Sequence, residues 1–238
     1  KFHYLVDVVA PAELPITINA IRSQQFRWNK GGAENFRKFI AQVITAKGHP
    51  IWTKINAFFH LINSSMFLNI LLVSILSVPL IYIKSAYPEL SLAYDISTLF
   101  IISTIIFFTC YWFIHKYIYG GGLRSFLQYI NRFISFYTLV MGFSIHNSIA
   151  VLEGYVGKKS SFVRTPKFNK SKMKDNKYAI KKISFYSFIE IVLALYFLFG
   201  MYASFNIVAK VDFGLFLFHF FLFIGFSSIS YQGLKQSI

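Results

Sequence analysis

Residues 183–207 read ISFYSFIEIVLALYFLFGMYASFNI, 25 positions with a single charged side chain, Glu190. At 1.5 Å per residue a helix of this length reaches about 37 Å, enough to cross a hydrocarbon core of roughly 30 Å. The stretch therefore reads as a transmembrane helix. Four others share its character: 58–82 with Pro79 near its end, 97–115, 133–152 and 213–231. The composition agrees. Hydrophobic residues make up 55% of the 238 and charged residues 14%, where a soluble domain carries about 25% charged. Mean hydropathy is +0.53. The charge is lopsided: 24 Lys and Arg against 9 Asp and Glu, a net +15. Apolar and basic together indicate a membrane protein with cationic loops on one side. Disorder, collagen-like repeats and a disulfide scaffold are excluded. The lone Cys110 lies in an apolar run and is expected to be a small buried hydrophobe. Nucleic acid is not an expected partner, because much of the charge lies in membrane-adjacent loops.

The basic residues give a topology. With the N-terminal region in the cytosol and four crossings, omitting 133–152, 22 of the 24 basic residues fall on the cytosolic side. Only Lys84 and Lys210 lie opposite. With all five crossing, the split becomes 12 against 12. The positive-inside rule favours four. Within 124–152, Ser135, Thr138, Gly142 and His146 recur at helical spacing among Phe, Leu, Val and Ile. That pattern suits an interfacial helix, or alternatively a further span with a small-residue packing stripe.

Before the first span the chain is more polar. Tyr4–Ala10 is β-branched and short, which predicts a strand ended by Pro11 and Pro15. Thr17 is placed to cap a helix running to about Lys30, which Gly31-Gly32 should interrupt. A second helix is expected over 33–48. Phe36, Phe39, Ile40, Val43 and Ile44 form one apolar stripe opposite Glu34, Arg37, Lys38, Gln42 and Lys47. Gly48 and Pro50 end it. Beside a span, it reads as a membrane-surface helix. The chain opens on Lys1, its first Met is Met66, and no signal-peptide pattern stands at its start. We expect a piece of a longer protein.

Gln24, Arg27 and Trp28 are spaced i, i+3, i+4 and share a helix face. Arg forks onto phosphate oxygens, Trp offers a flat ring for a sugar, and Gln reads hydroxyls. The same residues would equally serve as an interfacial anchor. The stretch Gln24-Gln25-Phe26-Arg27-Trp28 has the Q-x-x-R-W form of processive family 2 glycosyltransferases. With Ala12-Glu13-Leu14-Pro15 before it and Asn29-Lys30-Gly31 after it, the region resembles bacterial cellulose synthase-like proteins and the glucomannan mannosyltransferase branch. Phe162-Val163-Arg164-Thr165-Pro166-Lys167 resembles the F-x-V-T-x-K gating loop of that family, with Arg164 where the pattern has Val.

The resemblance extends over the whole chain and implies the following. The fold is mainly α: a polytopic protein of the cell (inner) membrane, with four transmembrane helices, amphipathic interface helices and a short remnant of an N-terminal α/β glycosyltransferase domain. Residues 1–32 end that cytosolic domain and 33–48 form the interface helix. Two spans occupy 58–118, the interfacial or third spanning helix 124–152, the basic cytosolic loop 153–182, and two further spans 183–231. Gln24, Arg27 and Trp28 hold the diphosphate and the acceptor sugar. Phe162, Thr165 and Lys167 close over the nucleotide. The partners are a nucleotide-sugar donor, a growing β-glycan and anionic lipids around the basic loop; export subunits are left open. A divalent metal, Mg or Mn, belongs to the upstream domain together with Asp-x-Asp and Thr-Glu-Asp carboxylates. Neither carboxylate motif occurs in these 238 residues, so these residues alone should bind no metal and be inactive.

Other candidates carry less. Glu190 inside a span suggests either a functional carboxylate or a partner for Lys181, Lys182 or a Tyr hydroxyl. His60, His115, His146 and His219 lack metal-ligand spacing. Gly120-Gly121-Gly122 follows no strand and makes no phosphate loop. A non-enzymatic transporter or assembly scaffold with a lipid-binding loop accounts equally for the composition, but not for the two motifs at their two places.

Overall fold

The structure is a computed structural model and describes residues 5, 7–9, 15, 17–98, 100–160, 185–207 and 212–235. Among these residues the secondary structure is helical and no strand occurs. The helices are α1 (Ile18–Thr45), α2 (Ile51–Ile62), α3 (Met66–Ala86), α4 (Ser91–Thr98), α5 (Phe100–Tyr119), α6 (Leu123–Gly142), α7 (Ser144–Val156), α8 (Phe185–Asn206) and α9 (Phe213–Lys235).

Thr17 caps α1, its hydroxyl accepting from the Ala20 N–H at 3.2 Å. The helix then runs 28 residues without a break. The expected interruption at Gly31-Gly32 does not occur. Gly32 is where the Ser64 side chain comes up against the helix; a Cβ there would collide with it. The glycine makes room for a neighbour rather than ending the helix. The expected strand at the N-terminus is also corrected. Asp7 lies in a turn, with the Val8 N–H 3.4 Å from the Leu5 carbonyl, and no second strand among the described residues could take its backbone bonds. Tyr4, Val6 and Ala10 lie outside the described residues, as do Ala12–Leu14.

The first apolar run begins earlier than expected and is divided. α2 and α3 are separated by a short 3₁₀ turn, Asn63–Ser65. Pro79 sits inside α3. Among the described residues, three helical stretches are long and apolar enough to cross a membrane: Ile51–Ala86, Phe185–Asn206 and Phe213–Lys235. The pair α6 and α7, bent by 51°, makes a fourth if taken as one span. The lone Cys110 is exposed on α5, contrary to expectation, because α5 leaves most of its apolar surface uncovered. That surface suits lipid as well as a core does.

The centre of the molecule is the hairpin of α8 and α9. Phe197, Leu222 and Phe226 are fully buried there, with Met141 of α6 and Ala194 against them. α6 crosses α9 at glycines: a Cβ on Gly142 would stand 2.5 Å from the Gly225 carbonyl oxygen, and one on Gly225 would stand 2.5 Å from that of Thr138. Thr138 and Gly142 of the small-residue stripe are thus packing surface. His219 is buried between spans, with Nε2 2.8 Å from the Ser77 hydroxyl and Nδ1 3.5 Å from that of Ser204.

The ends of these helices sort into two groups. At one end Ser65 hydrogen-bonds Tyr155, and the Ser148 hydroxyl donates to the Phe67 carbonyl. At the other end Lys84 meets Asp212 at 2.6 Å, and the Ser85 hydroxyl donates to the Ile207 carbonyl. α1 lies at the first end, against α7, α8 and α9.

Candidate functional site

α1 presents two faces. At about 100° per residue, Arg22, Phe26, Asn29, Lys30 and Ala33 lie together, and four of these five are buried: Arg22, Asn29, Lys30 and Ala33. Gln24, Arg27 and Trp28 lie on the opposite side. The structure therefore brings these three expected site residues together on one outward face. Trp28 is 62% exposed, its ring open for a flat partner. Arg27 and Gln24 are half-buried. The Arg27 guanidinium donates to the Ser23 hydroxyl at 2.9 Å, which steadies it along the helix. An indole, a guanidinium and an amide on one accessible face can take a sugar ring and phosphate oxygens together.

The inner face fastens the helix. Arg22 Nη2 donates to both carboxylate oxygens of Glu190 on α8, at 2.8 and 2.6 Å. Glu190 is thus paired, as the structural alternative had it, but with Arg22; Lys181 and Lys182 lie outside the described residues. One turn along, His146 Nε2 of α7 lies 3.0 Å from the Arg22 carbonyl oxygen, and its ring rests against Phe26 and Tyr186. Further on, Lys30 Nζ donates to Glu153 at 3.0 Å and to the Ser160 hydroxyl at 3.0 Å. Glu153 also accepts from Lys158 at 2.6 Å, and that hydrogen bond holds the Lys158 ammonium above its ordinary range. Gly157 ends α7 in the left-handed region, φ 76°.

Arg22, Lys30 and Glu153 were not singled out from the sequence. The available signal was weak: two cations eight residues apart on one helix face, and one carboxylate in a span that needed a partner. Phe162, Thr165 and Lys167 lie outside the described residues, as does Lys210. Among the described residues no group of three His, Cys, Asp or Glu could hold a metal ion.

The fold and site define a helical membrane protein that carries an exposed Q-x-x-R-W face at one end of its spans. Comparison with known proteins narrows the class. Over 60 residues the chain is 43% identical to glucomannan 4-β-mannosyltransferase 1 of Oryza sativa subsp. japonica, covering 25% of this chain and 12% of that protein. It is 46% identical over 55 residues to the probable glucomannan 4-β-mannosyltransferase 9 of the same plant, 23% of this chain and 10% of that one. It is 42% identical over 55 residues to glucomannan 4-β-mannosyltransferase 2 of Arabidopsis thaliana, 23% and 10%. Over that part the chain is a relative of these cellulose synthase-like family 2 glycosyltransferases. The match spans about a tenth of the relatives' length. No family model matches the chain, and no solved structure matches it.

Proposed function

We propose that this chain is the membrane-embedded, acceptor-side part of a glycosyltransferase that extends a β-glycan with hexose from a nucleotide sugar. The observation that carries the reading is the outward face of Gln24, Arg27 and Trp28, held at one end of the spans, in a chain whose relatives are mannosyltransferases. Trp28 stacks on the terminal sugar of the acceptor. Gln24 and Arg27 hold the acceptor and diphosphate region, where a guanidinium stabilises the charge of the departing group. Phe162, Thr165 and Lys167 close over the nucleotide. The base that takes the proton from the acceptor hydroxyl, and the divalent metal that neutralises the diphosphate, belong to a domain upstream of Lys1. The spans give the product a route through the cell membrane. The N-terminus and the basic loop face the cytosol, where the loop also meets anionic lipid.

The test uses the full-length protein in membranes. Trp28→Ala should abolish polymer formation while nucleotide-sugar binding survives, because the role proposed for the exposed ring is with the acceptor alone. Lys167→Ala should weaken nucleotide affinity. Near-normal polymer yield from the Trp28 variant sinks the acceptor role and turns the reading toward a scaffold or transporter.

A further inference from the structure

Gln24, Arg27 and Trp28 point away from the bundle, so their position is set from the other side of their own helix. Two ion pairs stand there. Arg22 meets Glu190 of α8 with side chains only 5% and 0% exposed. Lys30 meets Glu153 of α7 at 3.0 Å, with the Lys30 side chain 6% exposed. Eight residues of helix separate the two cations, about 12 Å along the axis, and all three motif residues lie between them. Together with the packing of α1 on α7, the two attachments hold its tilt, its height and its rotation.

Each pair has a glycine at its closest approach. A Cβ on Gly233 of α9 would stand 2.8 Å from the Ser187 hydroxyl and 3.1 Å from Arg22 Nη1. A Cβ on Gly154 of α7 would stand 2.6 Å from the Lys30 carbonyl oxygen and 2.7 Å from Ala33 Cβ. The neighbouring helices are therefore shaped to admit α1 at both points. Stability alone does not account for the charges. A buried ion pair recovers little beyond its own desolvation, and well-packed apolar residues often do as well. What a forked, charged contact adds is direction.

We infer that Arg22–Glu190 and Lys30–Glu153 form a two-point clamp that positions the Gln24–Trp28 face over the spans for the acceptor, an inference that rests on the function proposed above. The four are positioning residues and touch no substrate. Displacing a reacting group by about 1 Å can cost on the order of a hundredfold in rate, so loosening the clamp acts on turnover and leaves donor affinity alone.

The experiment takes the full-length enzyme in membranes and measures polymer formation against nucleotide-sugar concentration. Glu190→Gln and Glu153→Gln should each lower kcat about tenfold or more, with the nucleotide-sugar KM held within about twofold. Arg22→Lys, which keeps the charge but not the fork, should lose less than Glu190→Gln. The double variant Arg22→Met with Glu190→Leu, which removes both charges and keeps the volume, should accumulate normally and stay slow. A double variant with full turnover overturns the clamp. A second readout is independent of activity. In a background with every cysteine of the full-length protein replaced, Cys110→Ser among them, maleimide labelling of Trp28→Cys should change about fivefold or more when Glu190→Gln is added; an unchanged rate also overturns it. If labelling shifts but the parent enzyme forms no polymer from any hexose nucleotide, the clamp stands and the glycosyltransferase reading falls.

Discussion

Among the described residues, the carboxylates of Glu153, Glu190 and Asp212 tie separate parts of the chain together through cations. Asp212 lies just outside the span Phe213–Lys235. Lys84 lies 2.6 Å from one of its oxygens, and the Leu215 N–H donates to the other at 3.0 Å, capping α9. Burial opposes ionisation of this carboxyl, but the Leu215 N–H and the Lys84 ammonium outweigh it and hold the carboxyl below its ordinary value of 3.8. A carboxyl lowered on folding contributes stability that is complete above its unfolded value and is lost as pH falls through its folded one. The stability of the detergent-solubilised protein to heat should therefore weaken as pH falls below about 4, and Asp212→Asn should flatten that part of the profile. Identical profiles for the two proteins would remove Asp212 as a contributor. Residue chemistry of this kind was only half legible in the sequence. Glu190 declared itself, because a charge in an apolar run needs a partner. Its partner did not, because Arg22 lies 168 positions away, and adjacent Lys181 and Lys182 competed for the assignment. Gln24, Arg27 and Trp28 were legible because they sit within one helical turn, where spacing alone puts them on one face.

At the scale of elements, helix boundaries were the least legible feature, and glycine is the reason. Gly31-Gly32 reads as a break, yet α1 passes through it. The two glycines differ in surroundings: a Cβ at Gly31 would meet nothing within 4 Å, while one at Gly32 would meet Ser64. Only the second is occupied by a neighbour, a fact of packing that no window of sequence contains. Gly31→Ala should therefore stabilise α1 by about 0.5–1 kcal/mol, through the lower entropy of alanine in the unfolded chain. Gly154→Ala should do the reverse. Its Cβ meets a backbone carbonyl and Ala33, neither of which can turn aside, and overpacking of this kind costs about 1–3 kcal/mol. Thermal unfolding of both variants checks the pair of signs, and a destabilised Gly31→Ala would mean that α1 is not one helix. The apolar runs themselves were legible, since length and hydropathy suffice to find them. The bend of 51° between α6 and α7 was not, because a run of mostly apolar residues reads the same whether it is straight or turned.

For the whole molecule, contacts between helix ends limit how the chain crosses a membrane. Lys30 bonds Ser160, and Arg22 bonds Glu190 near the start of α8, so the chain just past α7 lies at the α1 end. Lys84, at the end of α3, lies with Asp212 at the opposite end. If these two ends face opposite sides of a membrane, an odd number of crossings is expected between Lys84 and Ser160. The expected span 97–115, most of which lies in α5, and the bent pair α6–α7 are the two candidates, so we expect one to cross and the other not. The basic residues choose between them. Lys116, Arg124 and Arg132 join the N-terminal and basic-loop cations if α5 crosses, which brings 22 of 24 to one side; the positive-inside rule favours that arrangement. Single cysteines in a background with every native cysteine replaced, Cys110→Ser among them, give the test, with a maleimide that cannot pass the membrane. Thr45→Cys and Lys159→Cys should label from one face and Tyr87→Cys from the other. Gly121→Cys should label from the face of Lys159. Labelling of Gly121→Cys from the face of Tyr87 would make α6–α7 the crossing element, with the glycine contact of Gly142 and Gly225 as its packing seam. Labelling of Lys159→Cys from the face of Tyr87 would overturn the sidedness itself. It would also separate the basic loop from the Q-x-x-R-W face, which the proposed chemistry needs on one side.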